Sequence, residues 1–158
     1  MSRQLYVTFV ASDTRGVITL YDGAAPRTCE TLWNALRQPV RTRAMHAMFA
    51  GPEIMFDLPE AARTFDPTSL PAEHQTCFPA PGDCLWFYQG ANAMKGLEFE
   101  MWEIGMFYGN GGRTFGPLGW TPVNIFGTIT ENLEGFAAAC ADMRLTGAKE
   151  LELARLGG

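Results

Sequence analysis

Short extended runs set off by turn residues, with helical periodicity at two places only, predict a mainly β fold with two helices: a closed β-barrel of about eight strands capped by helices. The runs are rich in β-branched, aromatic and aliphatic residues, and Gly, Pro, Asn and Asp cluster between them. Apolar residues at i, i+3, i+4 and i+7 occur once early and once late. Parallel α/β winding would need many more crossover helices than this. At 158 residues and 47% hydrophobic content, the chain suits one domain, residues 1–158, with a single core.

The elements follow in order. Leu5 to Val10 and Val17 to Tyr21 are extended in character, and the turn from Asp13 to Gly16 makes them a hairpin. Asp22-Gly23-Ala24-Ala25 stops the second strand. Pro26 sits where a helix tolerates proline best, so a helix runs to about Leu36 with Cys29, Leu32, Trp33 and Leu36 inward. A hairpin over Arg43 to Pro59 comes next. Glu60 to Pro81 is proline-rich and aperiodic, an irregular surface excursion of a length that is often functional.

Cys84 to Tyr88 reads as an aromatic strand, Gly90 to Gly96 as a loop, and Leu97 to Tyr108 as a strand with neither face cleanly apolar. Gly109 to Pro122 holds so much Gly and Pro that it predicts a flexible loop beside a cleft. Val123 to Ile129 is a strand in which Gly127 permits a bulge. A second helix from about Glu131 to Leu145 turns Leu133, Phe136, Ala137 and Cys140 inward, with Thr130 or Asn132 as its cap and Gly147 as its stop. Lys149 to Leu156 alternates as an antiparallel closing strand would.

The stretch from Arg43 to Pro59, RAMHAMFAGPEIMFDLP, carries the candidate chemistry. With Gly51-Pro52 as a two-residue turn and Gly51 at positive φ, Phe49 faces Ile54, Ala47 faces Phe56 and Met45 faces Leu58 on an apolar face. The other face pairs Ala50 with Glu53, Met48 with Met55 and His46 with Asp57. This register predicts a ledge bearing His46, Glu53 and Asp57 above Met48 and Met55.

Net charge is −5 and the basic residues are scattered, so no stripe is suited to phosphate backbones and no nucleic-acid partner is expected. No apolar run approaches the roughly 20 residues that span a bilayer, and the N-terminus lacks a signal-peptide core. A cytoplasmic protein without membrane association is the expectation. Cys29, Cys77, Cys84 and Cys140 lack C-x-x-C spacing and read as reduced thiols. His46 and His74 stand alone, without H-x-x-x-H spacing, so no metal site is expected.

Ala25-Pro26-Arg27-Thr28-Cys29, His46-Ala47 with Gly51, Pro81-Gly82-Asp83, Tyr108-Gly109 and Asn124-Ile125-Phe126-Gly127 occur in an order and spacing that resemble a family of small bacterial proteins with a cyclophilin-like fold and no agreed function. The likeness runs from about Leu5 to Leu156. That family is similar to the cyclophilin-like part of cucumopine synthase, which condenses histidine with 2-oxoglutarate by a Pictet–Spengler ring closure. The resemblance implies a cyclophilin-like barrel. It argues against prolyl isomerase activity, because HAMFAGPEIMFD lacks the arginine after the histidine and the glutamine after the turn. A chain of this length is not expected to hold the extra C-terminal helical domain of the opine enzyme.

A histidine titrates near ~6.5, and one oriented by a carboxylate suits general acid or base work; His46 with Asp57 fits this. Glu53 shares the expected ledge, and Tyr108 and Asn124 can donate to a carbonyl or imine. Glu98, Glu100 and Glu103 surround Trp102, where partial burial would raise a carboxylate pKa. Arg113, in the glycine-rich loop, suits a clamp for a substrate carboxylate. The expectation is an enzyme on a small carboxylate-bearing metabolite, possible steps being imine formation and ring closure between an amine and an oxo acid without metal or cofactor. His46, Glu53, Asp57 and Tyr108 form its catalytic set; Arg113, Asn124, Met48, Met55, Trp102 and Glu98 bind substrate. A non-catalytic module for small ligands or peptides is the alternative, prolyl isomerisation ranks third, and homo-oligomerisation stays open.

Overall fold

Eight antiparallel strands close on themselves in the computed structural model, which describes residues 2–157. In chain order the elements are β1 (Gln4–Phe9), β2 (Thr14–Leu20), α1 (Pro26–Ala35), β3 (Val40–His46), β4 (Glu53–Asp57), β5 (Gln75–Thr76), β6 (Asp83–Gln89), β7 (Met101–Phe107), β8 (Phe115–Gly116), β9 (Gly119–Trp120), β10 (Val123–Glu131), α2 (Leu133–Thr146) and β11 (Lys149–Arg155). Around the barrel they run β2-β1-β11-β3-β4-β7-β6-β10, and β10 pairs with β2 to close the ring. Closure leaves the barrel without open edges. The chain's last strand, extended and antiparallel as the alternation of Lys149 to Leu156 suggests, lies between β1 and β3, while the β10–β2 pair closes the ring.

Alternation along each strand separates inside from outside. Leu5, Val7, Phe9, Ile18, Leu20, Ala44, Ile54, Phe56, Trp86, Ile104, Met106, Leu151 and Leu153 fill the interior. Cys29 and Leu32 of α1, and Phe136, Cys140 and Met143 of α2, bury their faces in the same cluster. Pro26 opens α1, and Gly147, at φ 87°, ends α2. Asn132 occupies the N-cap position of α2 at φ 57° but makes no cap bond; its Nδ2 donates to the Arg15 carbonyl instead. β10 slips register between Ile125 and Gly127, where a Cβ would meet the Thr19 carbonyl at 2.8 Å. The bulge at Gly127 is therefore steric in origin.

Three expectations change. The strand expected from Leu97 begins at Met101, and residues 97–100 belong to the preceding loop. The irregular excursion from Glu60 contributes β5, which pairs with β10 outside the ring. The glycine-rich loop after Tyr108 contains a small hairpin, β8 with β9. Among the described residues no helix is long and apolar enough to cross a membrane.

Candidate active site

The hairpin β3–β4 has a register different from the one its sequence suggests. His46 faces Ile54 and Met45 faces Met55, with residues 47–52 forming the connection. Gly51 does take positive φ, at 85°, yet it is not half of a two-residue turn. The Pro52 carbonyl accepts from Tyr108 N at 2.9 Å and the Ala50 carbonyl from Arg113 N at 3.0 Å, so the connection is held open by the loop after β7. Against the expected pairing the register is displaced by three residues, and an odd displacement sends paired side chains to opposite faces. The expected ledge is thereby divided by the sheet. His46 lies on the interior side with Ile54, whereas Glu53, Met55 and Asp57 point outward.

The outer face brings a different partner to Glu53. In register, Glu53 faces Phe107, Met55 faces Gly105 and Asp57 faces Glu103 across β4 and β7, and Leu85 and Phe87 of β6 face Gly105 and Glu103 from the other side. Gly105 is the gap in this surface. A Cβ there would fall on the Glu53 carboxylate and within 3.1 Å of Leu85, so both side chains fill the space that glycine leaves. Glu53 thus lies along the strand over Gly105, toward Glu103.

Glu53 and Glu103 are 4% and 8% exposed. Neither accepts a side-chain hydrogen bond or joins an ion pair among the described residues; the ion pairs there involve Arg3, Arg41 and Lys149. Burial pushes the Glu53 carboxyl well above the usual carboxylate range, and the charge of Glu103 adds to it. Glu103 is pushed up to about 7, by burial first and by the charge of Asp57 second. Asp57 is exposed and fixed by the Trp102 amide, which donates to its Oδ1 at 2.9 Å. The floor beside the pair is apolar, a cluster of Leu85, Phe107, Val123 and Ile125. Gly112 packs on the Phe107 ring, so part of the glycine-rich loop lies over this face.

The other expected residues lie elsewhere. His46 Nε2 is 2.6 Å from Tyr108 Oη and accepts from Arg144 Nε at 3.1 Å, while Nδ1 is 2.9 Å from the Ala47 carbonyl. Arginine Nε can only donate, so Nε2 is the acceptor and Nδ1 carries the proton. The node ties the end of β3, the residue after β7 and the last turn of α2. Asn124 is 5% exposed and holds the excursion in place: Nδ2 donates to Thr28 Oγ1 and the Pro71 carbonyl, and Oδ1 accepts from Glu73 N and Gln75 Nε2. Trp102 is buried inside the barrel with Phe65, Trp86 and Tyr88 around it. Met48 is 88% exposed, so the methionine floor reduces to Met55. Glu98 is exposed in the loop before β7, and Glu100 there accepts from Tyr88 Oη. Arg113 folds back over Gly51, donating to the Gly111 carbonyl at 3.2 Å.

Glu103 was legible as one of three carboxylates about Trp102, and its place in the strand is what distinguishes it. The signal is Gly105 two residues on, an absent side chain on the same face. Among the described residues no group of three or more His, Cys, Asp or Glu side chains is arranged to hold a metal ion. Neither Glu53 nor Glu103 lines the two clefts, one of about 360 Å³ beside the end of α1 and one of about 250 Å³ between the excursion and β6 that reaches Phe87 and Val123.

A family model described as "Protein of unknown function (DUF3830)" matches residues 7–155. The chain belongs to this family. Among solved structures, a DUF3830 chain of this shape is similar to McbB, solved in complex with tryptophan, with a TM-score of 0.69 and 16% identity over 98% of this chain and 45% of McbB. It is also similar to the hypothetical protein AF2241 from Archaeoglobus fulgidus, solved in solution, with a TM-score of 0.59 and 19% identity over 98% and 95% of the two chains. The chain spans less than half the length of McbB. These likenesses carry the fold, a cyclophilin-like barrel. No curated protein matches the chain.

Proposed function

We propose that this DUF3830 protein is an enzyme that moves protons on a small molecule, with Glu53 and Glu103 as its acid and base. The observation that carries the reading is two carboxyl groups buried side by side on the outer face, without a cation or donor among the described residues. Two such groups ionise one after the other, because the first charge disfavours the second. At neutral pH the pair then holds a proton on one carboxyl and offers a lone pair on the other, the two states general acid–base catalysis needs. Asp57 helps keep Glu103 protonated. The His46–Tyr108–Arg144 node serves as a brace, since Tyr108 N fixes the carbonyl of Pro52, the residue before Glu53.

The finer reading is condensation of an amine with an oxo acid. The amine adds to the ketone to give a carbinolamine, the acidic carboxyl protonates its hydroxyl as water leaves to form an iminium, an aromatic carbon of the amine bonds to the iminium carbon, and the ionised carboxyl accepts the proton that this aromatic carbon loses. The sequence is redox-neutral and returns the pair to its starting state. Arg113 would hold the carboxylate of the oxo acid. Binding without chemistry is the second reading, favoured by the cleft of about 250 Å³ that Phe87 and Val123 line.

A thermal-shift panel of oxo acids, amino acids, amines and proline-containing peptides tests this. A ligand at 100 times its dissociation constant adds ~2.7 kcal/mol of stability. We expect shifts with oxo acids and amines, and mass-spectrometric turnover of the pair that falls at least ~100-fold in Glu53→Gln and Glu103→Gln. Turnover unchanged in both variants would overturn the assignment, and shifts with proline peptides alone would favour the isomerase or binding module.

A further inference from the structure

Gln89 closes the outer face at the end of β6, and neither the sequence patterning nor the acid–base reading assigns it a role. It faces Met101 across β7, two residues beyond Phe87, which faces Glu103. Gln89 therefore stands on the same side of the sheet as Glu103, while Trp86 and Tyr88 turn the other way, to the barrel interior. The side chain is 6% exposed, and its Nε2 has no hydrogen-bond partner among the described residues. An amide buried without a partner is destabilising, so an unpaired donor in such a place is one that something else completes.

The surroundings limit what that can be. The ionisable groups that β4, β6 and β7 turn to this face are Glu53, Asp57, Asp83 and Glu103, all acidic, and among the described residues no Lys or Arg forms an ion pair with them. An anion at Gln89 would be repelled by the ionised carboxylates, and a cation offers nothing to an amide N–H. A neutral oxygen acceptor satisfies the donor without either penalty. We propose that Gln89 Nε2 is a ligand-reading group that takes the neutral carbonyl oxygen, ketone or amide, of the molecule bound beside Glu103. This rests on the reading of the Glu53/Glu103 face as the site and adds a specificity residue to it.

Acetamide and acetate, equal in shape and different in charge, separate the possibilities. In protein carrying nitrogen-15 glutamine, the Gln89 side-chain amide resonances should shift saturably with acetamide. At a pH above the Glu103 titration, acetate should bind at least tenfold more weakly. Gln89→Leu and Gln89→Met should each weaken acetamide about tenfold, the contribution of one buried neutral hydrogen bond. Two variants are used so that a packing defect in one does not decide the result. Acetate binding as well as acetamide, or no saturable shift of the Gln89 amide, would overturn the inference and leave a buried water as its partner. The carboxyl titration of Glu103, read on the same protein, separates the two failures: an ordinary value sinks the site itself, whereas a raised value with no acetamide response sinks only the role of Gln89.

Discussion

Replacing Glu103 with Gln keeps the shape of the side chain and removes its charge, so its effect on stability should depend on pH. Glu103 is buried, and no side-chain hydrogen bond to it would be lost. Its carboxyl is pushed from 4.5 up to about 7, which means the folded protein favours the neutral form. The linkage sign follows: stability from a raised carboxyl is fully present below the unfolded value and is lost as pH rises through the folded one. Between pH 4.5 and pH 7 and above, the wild-type protein loses about 3 kcal/mol through this group, and the glutamine variant does not. Urea unfolding at about pH 4 should find the two alike, and at about pH 8 the variant should be the more stable by about 3 kcal/mol. For a chain of this length that is roughly 6–12 °C in melting temperature. Acid–base turnover should fall at least ~100-fold in the same variant, so stability and activity move in opposite directions. A stability difference that is the same at both pH values, or a variant less stable at high pH, would refute the reasoning.

Other substitutions probe the geometry. Gly105→Ala puts a methyl on the Glu53 carboxylate and against Leu85, and should destabilise by about 1–3 kcal/mol in urea titration while lowering turnover; an unchanged protein would mean that Glu53 does not lie over Gly105. His46→Ala leaves Tyr108 and Arg144 without their acceptor and should lower stability by about 1–3 kcal/mol with turnover kept within about tenfold; a folded variant that loses ~100-fold or more would place His46 in the chemistry. Asn124→Ala removes four hydrogen bonds, three from β10 to the excursion and one to Thr28 of α1, and hydrogen exchange should accelerate around residues 71–76 with the barrel strands still protected; uniform loss of protection would show that Asn124 supports the whole fold.

Local chemistry made much of this fold legible. Pro26 begins a helix because its missing N–H is not needed there, Gly147 ends one because it accepts positive φ, and Gly127 breaks a register because no Cβ fits against β2. The closed barrel followed from short strands with two helices, and its cyclophilin-like character from the resemblance of the motifs and their order. The hairpin register did not follow, since it depends on Tyr108 and Arg113 bonding to the connection from more than fifty residues away. That error moved His46 to the wrong face. Glu53 survived it because alternation keeps Glu53, Met55 and Asp57 together in any register. Glu98 and Glu103 look alike in sequence, and only the point at which β7 begins exposes one and buries the other. Gln89 carries no local signal at all; its significance is a missing partner in three dimensions.

On this reading Glu53 and Glu103 form a buried pair that shares a proton near neutral pH. Carbon-13 NMR of the glutamate side-chain carboxyls across the pH range, assigned with the two single glutamine variants, tests it most directly. Both should titrate above the ordinary glutamate range, Glu103 at about 7; Glu103→Gln should lower the value of Glu53, whereas Glu53→Gln should leave Glu103 raised. Both carboxyls titrating at ordinary values, independently of each other, would contradict it.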